Sequence, residues 1–399
     1  MAGSVANPPV FPFEAALGLD TDAVLARLRG NDPVPLVRLA SGGFAYLATR
    51  YNDVRRVFTD PLFSRAAATR PGIPVLNQAS KIPDLMLNMD PPDHTRIRRL
   101  VTKAFTTGAV EQLRPNVQGI CDTLVDRMLA TGPPVDFVPA FAYALPAQVI
   151  SELLGVPAAD RNQLRRWQDA ILSISAHARH VVDAQLEQLL AYLRELIRAK
   201  RAEPADDLVS ALIDARDSDD RLSESELLYT VQILIAGGYE TVAGLLANSI
   251  VVLWRNPEQW ALLRDDPSLI PAAVDELVRY VPVTWSALER VALRDVTLSG
   301  VPVPAGSSVV PLVYSANYDE ALAADAGTLD VTRAPVPHLG FGHGVHRCIG
   351  APLAKLELEV AFTTLFERLP RLRMARAESQ LWWKNGLLTV GPIALPVTW

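Results

Sequence analysis

Phe341-Gly342-His343-Gly344-Val345-His346-Arg347-Cys348-Ile349-Gly350 is the stretch on which the reading of this chain turns. Its glycines permit tight, positive-φ turns and let backbone approach a flat ligand. Phe341 offers an aromatic face near the sulfur. Cys348 stands just ahead of a predicted helix, Ala351 to Leu369, which Pro352 opens in the first turn, where proline is tolerated. Free N–H groups and the helix dipole at such a place favour a thiolate, the form a metal requires. In a chain of this composition, Phe, three Gly and Cys at these fixed places fall together by chance at roughly 10⁻⁵. Two plainer readings stand beside metal ligation by Cys348. One is an inert cysteine in a Gly-rich loop. The other is a zinc site with His338, His343 and His346, although zinc usually recruits more cysteines or fixed histidine spacings.

Outward from this loop the chain reads as one unit. It has 399 residues, 49% hydrophobic and 21% charged, enough to bury a large core. No linker, repeat or low-complexity segment divides it, so residues 1–399 are expected to form a single domain. The net charge of −6, from 38 basic and 44 acidic residues, argues against nucleic acid as the main partner. The only cysteines are Cys121 and Cys348, which fits a reducing cytoplasm and no disulfide framework. Met1 to Asp20 shows no secretory signal pattern. Leu227 to Trp254 is apolar and long enough to cross a bilayer, but Glu240 at its middle would be costly in lipid. A helix buried in a large core is the expected reading, and no membrane partner.

The coarse pattern is mainly α with a small β-rich part. A hairpin is predicted around Ser41-Gly42-Gly43, then a short helix over Tyr51 to Thr59. Leu62 to Met89 reads as a long irregular loop. Helical periodicity dominates His94 to Ala202 and 225 to 254, followed by helices over Glu258 to Arg264 and Pro271 to Tyr280. Glu289 to Val313 reads as short strands, and Leu381 to Val397 as a hairpin turning at Asn385-Gly386.

Taken with its setting, the cysteine loop resembles that of the cytochrome P450 family, in its soluble bacterial class, and the resemblance runs along nearly the whole chain. It implies the cytochrome P450 fold, haem b as cofactor, and iron held by the Cys348 thiolate, the ligation that favours O–O cleavage. Phe341, Gly342 and Gly350 then line the haem beside the sulfur. Glu276 and Arg279 share a helix face. Alone they read as a surface pair; in this family the same E-x-x-R is buried beneath the haem. Asp90-Pro91-Pro92-Asp93-His94-Thr95-Arg96-Ile97-Arg98 resembles the haem-facing helix start, which makes His94 and Arg98 partners of the haem carboxylates. Arg290 and His338 are assigned the same role by resemblance.

Gly237-Gly238-Tyr239-Glu240-Thr241 resembles the family's oxygen-binding groove. It implies that Thr241 orients dioxygen and its water and that Glu240 feeds the proton path. A mid-helix threonine also commonly bonds a carbonyl one turn back. Tyr239 departs from the usual His, and Asn317 to Arg333 lacks the usual Pro- and Phe-containing run, which puts packing there in doubt. The resemblance further implies a monooxygenase that hydroxylates or epoxidises a hydrophobic small molecule, a secondary metabolite, with O2 and electrons from a ferredoxin and its reductase. A basic patch of Arg347 and Lys355, with Arg96, Arg99 and Lys103, would suit an acidic carrier. Substrate contacts are expected from Leu62–Met89, Ala170–Val182, Gly237, Val283 to Leu288 and Leu387–Leu388; Arg65 or Arg70 could anchor an acidic group of the substrate, but exposed loop arginine is the plainer reading of both. Peroxide-driven chemistry on the same scaffold and a non-catalytic haem binder are the competing readings.

Overall fold

The computed structural model describes residues 8–13, 18–19, 22–77, 81–217, 222–284 and 286–399. Residues 78–80 of the predicted loop and Trp285 of the predicted pocket stretch lie outside the described residues, as does most of Met1 to Asp20.

The centre is the helix Glu224–Arg255. Its start is fixed by a capping box: Ser223 Oγ accepts from the Glu226 amide at 3.1 Å, and Glu226 Oε2 accepts from the Ser223 amide at 2.8 Å. Arg255 lies in the last turn, and Pro257 opens the next helix, Pro257–Asp265. Between these ends the helix is apolar nearly all round, and 78% of its most apolar window is buried inside the protein. That is the pattern of a core helix. It packs against Ala144–Leu154 and Arg179–Ala202, while Ala351–Arg368 packs against Arg114–Thr131 and Ile270–Tyr280.

Tyr239 explains part of this packing. Its ring meets Tyr143 edge-on at 5.1 Å, and its hydroxyl donates to the Leu164 carbonyl at 3.3 Å. The residue that departs from the family's usual His therefore joins the central helix to the helices around it.

The β-rich part is a six-stranded sheet in the order Val10–Phe11, Leu36–Leu39, Phe44–Ala48, Ser308–Pro311, Arg290–Ala292 and Phe63–Ser64. Leu36–Leu39 and Phe44–Ala48 form the predicted hairpin, with Val37 opposite Ala45. Phe44–Ala48 then runs parallel to Ser308–Pro311, Tyr46 opposite Val309. At the far edge Ser64 pairs antiparallel with Val291. That register brings Arg65 beside Arg290.

The predicted tail hairpin is only partly formed. Gly386 does turn, with φ 68°, but its arms meet by a single bridge, Trp383 to Pro392. The rest of the tail bridges to other segments: Leu387 to Ser173 and Thr389 to Thr284.

Candidate haem site

The cysteine loop is shaped by its own backbone. Gly342 and Gly344 both take φ 69°, and a side chain at Gly344 would strike the Phe58 carbonyl at 2.6 Å. The Cys348 amide donates to the Phe341 carbonyl at 2.8 Å, closing the bend immediately before Ala351–Arg368. Cys348 keeps accessible surface, yet protein crowds the thiol closely enough that burial pushes its pKa up. The Gly350 and Ala351 amides, Arg98 and Arg347 pull in the opposite direction, which is the predicted helix-start effect, here outweighed by burial.

Beside the loop lies a group of buried cationic and donor side chains. The His94 and His346 rings meet at a tilt of 50°, their centroids 4.2 Å apart. Nδ1 of His94 and both ring nitrogens of His346 are buried without a hydrogen bond among the described residues. Burial, Arg98 and Arg290 hold His94 down to about 4, and the same causes, led by burial, push His346 far down as well. Arg290 is 3% exposed, lies over the Phe58 ring at 5.0 Å and has no hydrogen bond among the described residues. Burial and Arg65 both disfavour its charge. Asp90, the nearby carboxylate, is already taken by Ser64 Oγ and by the Arg65 amide at 2.9 Å. A buried guanidinium calls for an anion from elsewhere, and the unpartnered ring nitrogens for a hydrogen-bonding group. The two carboxylates of haem fit this donor set, with His94, His346, Arg98 and Arg290 as the residues that would hold them and Cys348 as the iron ligand.

The geometry gives His338 partners within the protein. Its Nδ1 accepts from the Gly340 amide at 3.1 Å, and its Nε2 lies 3.7 Å from Asp275, which also pairs with Lys355 at 2.5 Å. His346, which the sequence reading did not single out as a haem partner, lies beside His94. The signal for it was present in the sequence, two residues before the cysteine. Arg65 is a correction. It is 2% exposed, with its guanidinium donating to the Leu87 and Glu289 carbonyls and to Asn88, so it is neither an exposed loop residue nor free to anchor substrate. Phe341 is half-buried, 6.4 Å from the His338 ring, with Lys355 at 6.0 Å from its own.

On the central helix, Gly237 is exposed amid buried neighbours, and a Cβ there would meet nothing within 4 Å. Thr241 Oγ1 donates to the Gly237 carbonyl at 2.9 Å, the back-bond that mid-helix threonine favours. Glu240 is 1% exposed and turned elsewhere: Lys384 pairs with its Oε1, and Thr389 Oγ1 donates to the same oxygen at 3.2 Å. Oε2 has no partner among the described residues. Nothing in the sequence pattern pointed to Lys384 or Thr389, which lie about 150 residues downstream. Of the expected substrate contacts, Val283, Leu288 and Leu388 are half-buried, and Val283 is tied to the tail through its carbonyl, which accepts from the Val390 amide at 2.8 Å.

Glu276 and Arg279 are buried at 4% and 1% exposure and form two parallel hydrogen bonds, 2.6 and 2.7 Å. The remaining Arg279 donors reach the carbonyls of Asn317 at 2.8 Å, Ala326 at 2.6 Å and Thr328 at 3.0 Å. Arg333 joins Glu276 at 3.2 Å. Asn317 carries the network to the cysteine loop, its Oδ1 accepting from the Leu339 amide at 2.7 Å. The atypical segment is therefore packed through its main chain.

A family model described as cytochrome P450 matches residues 263–374. The chain is 45% identical over 395 residues to the mycinamicin IV hydroxylase/epoxidase of Micromonospora griseorubida, covering 99% of each. It is 44% identical to the nocardicin C N-oxygenase of Nocardia uniformis subsp. tsuyamanensis, covering 98% of each. The crystal structure of HinD with NMFT and NO superposes with a TM-score of 0.94 at 44% identity, over 98% of this chain and 99% of that one.

Proposed function

Because the chain belongs to the cytochrome P450 family, and is a haem-thiolate monooxygenase that binds haem b, we propose that it oxygenates a hydrophobic small molecule, a secondary metabolite, as a single cytoplasmic haem domain served by a ferredoxin and its reductase. Hydroxylation or epoxidation is the reading that the mycinamicin IV hydroxylase/epoxidase supports. The observation that carries the site assignment is the cluster beside Cys348: His94 and His346, with buried ring nitrogens that lack a hydrogen bond among the described residues, and the guanidinium groups of Arg98 and Arg290.

The bound haem would supply dioxygen activation at the metal held by Cys348. The chain's own residues bind, orient and move protons. Arg290 and Arg98 place positive charge where the haem carboxylates belong. Gly237 leaves room on the central helix, and the Thr241 hydroxyl, held by the Gly237 carbonyl, is oriented with its lone pairs free to accept from a water. Glu240, one residue back on the helix, is the carboxylate that feeds protons toward that hydroxyl. Lys384 and Thr389 hold it in place.

The test is spectroscopic. Cys348→Ala should abolish the thiolate signature of the reduced, carbon monoxide-treated protein. An unchanged difference spectrum would remove Cys348 as the ligand. Turnover supported by ferredoxin and NADH, and absent with peroxide alone, is the expected behaviour of the intact protein.

A further inference from the structure

The ion pair that holds Glu240 is one end of a longer piece of the tail. At its base, the Lys384 side chain and Thr389 Oγ1 both hold Glu240 Oε1. The arms are joined by the Trp383–Pro392 bridge, in which the Lys384 amide donates to the Gly391 carbonyl at 2.9 Å and the Ile393 amide to the Trp382 carbonyl at 2.7 Å. Asn248 of the central helix bolts the same base down, donating to the Val390 carbonyl at 2.9 Å and to that of Pro282 at 2.7 Å.

At its tip, the Gly386 carbonyl accepts from three successive amides, Ile174 at 2.7 Å, Ser175 at 2.9 Å and Ala176 at 3.1 Å. The Leu388 amide donates to the Leu172 carbonyl at 2.9 Å. These residues form the connection between the helices Arg161–Ile171 and Arg179–Ala202, and Ser175 to Ala178 are exposed on its outer side. A Cβ at Gly386 would come within 2.7 Å of the Ala176 nitrogen. Asp169, in the last turn of the first of these helices, shares the electrostatic field of Glu240 and Lys384, so the connection and the acid are linked by charge as well as by backbone.

We propose that residues 383–392 act as a coupling strap, in which the anchoring of the 172–176 connection on Gly386 and the seating of Lys384 on Glu240 hold together and release together. Lys384 is then a positioning residue for the acid, and movement of the connection at the substrate side is transmitted to the proton path. The proposal rests on the proton role read for Glu240. The physical reason is the small size of the piece. Eight residues between Lys384 and Gly391 carry both sets of contacts, with no regular ladder to absorb motion at one end before it reaches the other.

The test uses the haem-loaded full-length protein and amide hydrogen exchange, which needs neither substrate nor turnover. Lys384→Met touches none of the amides at 174–176, yet should speed their exchange about threefold to tenfold, the effect of losing about one net hydrogen bond's worth of stability. Gly386→Ala should speed the same amides and also quicken the binding of 4-phenylimidazole. Wild-type exchange at 174–176 in Lys384→Met would overturn the proposal, because the two contacts would then be independent. The proton role is judged separately: an unaltered solvent isotope effect on ferredoxin-supported NADH oxidation in Glu240→Gln would overturn that role, while the exchange result alone decides the strap.

Discussion

At the scale of single residues, the site depends on side chains whose preferred charge the fold alone does not satisfy. His346 and His338 make the sharpest comparison, since both flank the cysteine loop. His346 is half-buried, with both ring nitrogens buried and unpaired among the described residues, whereas His338 is occupied by Gly340 and Asp275. His346→Ala is therefore expected to speed haem loss to an acceptor protein by about tenfold, as removal of one buried charge-assisted hydrogen bond would. His338→Ala should leave that rate near wild type. Glu357 gives a second contrast. It is 1% exposed, neither oxygen has a hydrogen bond among the described residues, and burial raises its pKa well above the ordinary 4.5. The folded protein thus holds this proton where the unfolded chain has released it. Its contribution to stability is complete below about pH 4.5 and declines as pH rises toward the folded value. Glu357→Gln, which cannot ionise, should flatten the fall of urea stability over that range. A pH profile parallel to wild type would place the carboxyl's charge elsewhere.

At the scale of elements, legibility followed periodicity and length. The helix over Tyr51–Thr59 was readable to the residue, because an apolar stripe, Val54, Val57 and Phe58, ends at a proline. The central helix was equally plain, since thirty-two residues with a capping signal leave little room for another reading. The tail was not. Asn385-Gly386 marks a turn truthfully, but turn chemistry says nothing about which partner the arms will choose, and here they chose Leu172, Ser173 and Val283. The Glu240–Lys384 pair was hidden for the same reason: no local pattern joins residues so far apart. Arg65 failed differently. Its burial is set by the sheet register of Ser64 on Val291, which composition does not encode. The Glu276–Arg279 pair shows how much one such long-range network carries. Arg279→Met would leave Glu276 only Arg333 and the Asp330 amide and would strand the Asn317 and Ala326 carbonyls, and should lower stability by about 3–5 kcal/mol. The urea midpoint and the fraction of protein purified with haem both report it.

For the molecule as a whole, the exposed face around the cysteine loop is the natural place for an electron donor. Sequence assigned it five cations, but Lys355 is tied to Asp275 and Arg96 to Glu226, each at 2.5 Å. Arg347 remains exposed there, with Arg55 acting on the same neighbouring His343. Arg347→Glu should slow ferredoxin-supported turnover about tenfold at low ionic strength, with the difference shrinking as salt is added. Electron uptake from dithionite, which needs no docking surface, should be unaffected. A second consequence concerns the chain between Asn317 and Arg333. The clamp beneath the loop grips peptide oxygens and is indifferent to the letters that carry them. Tyr318, Asp319 and Asp325 add side-chain contacts at either end, so the freedom lies between them: a grafted stretch of equal length over 320–324 should still deliver the cysteine to its place, because what matters there is a path of the main chain.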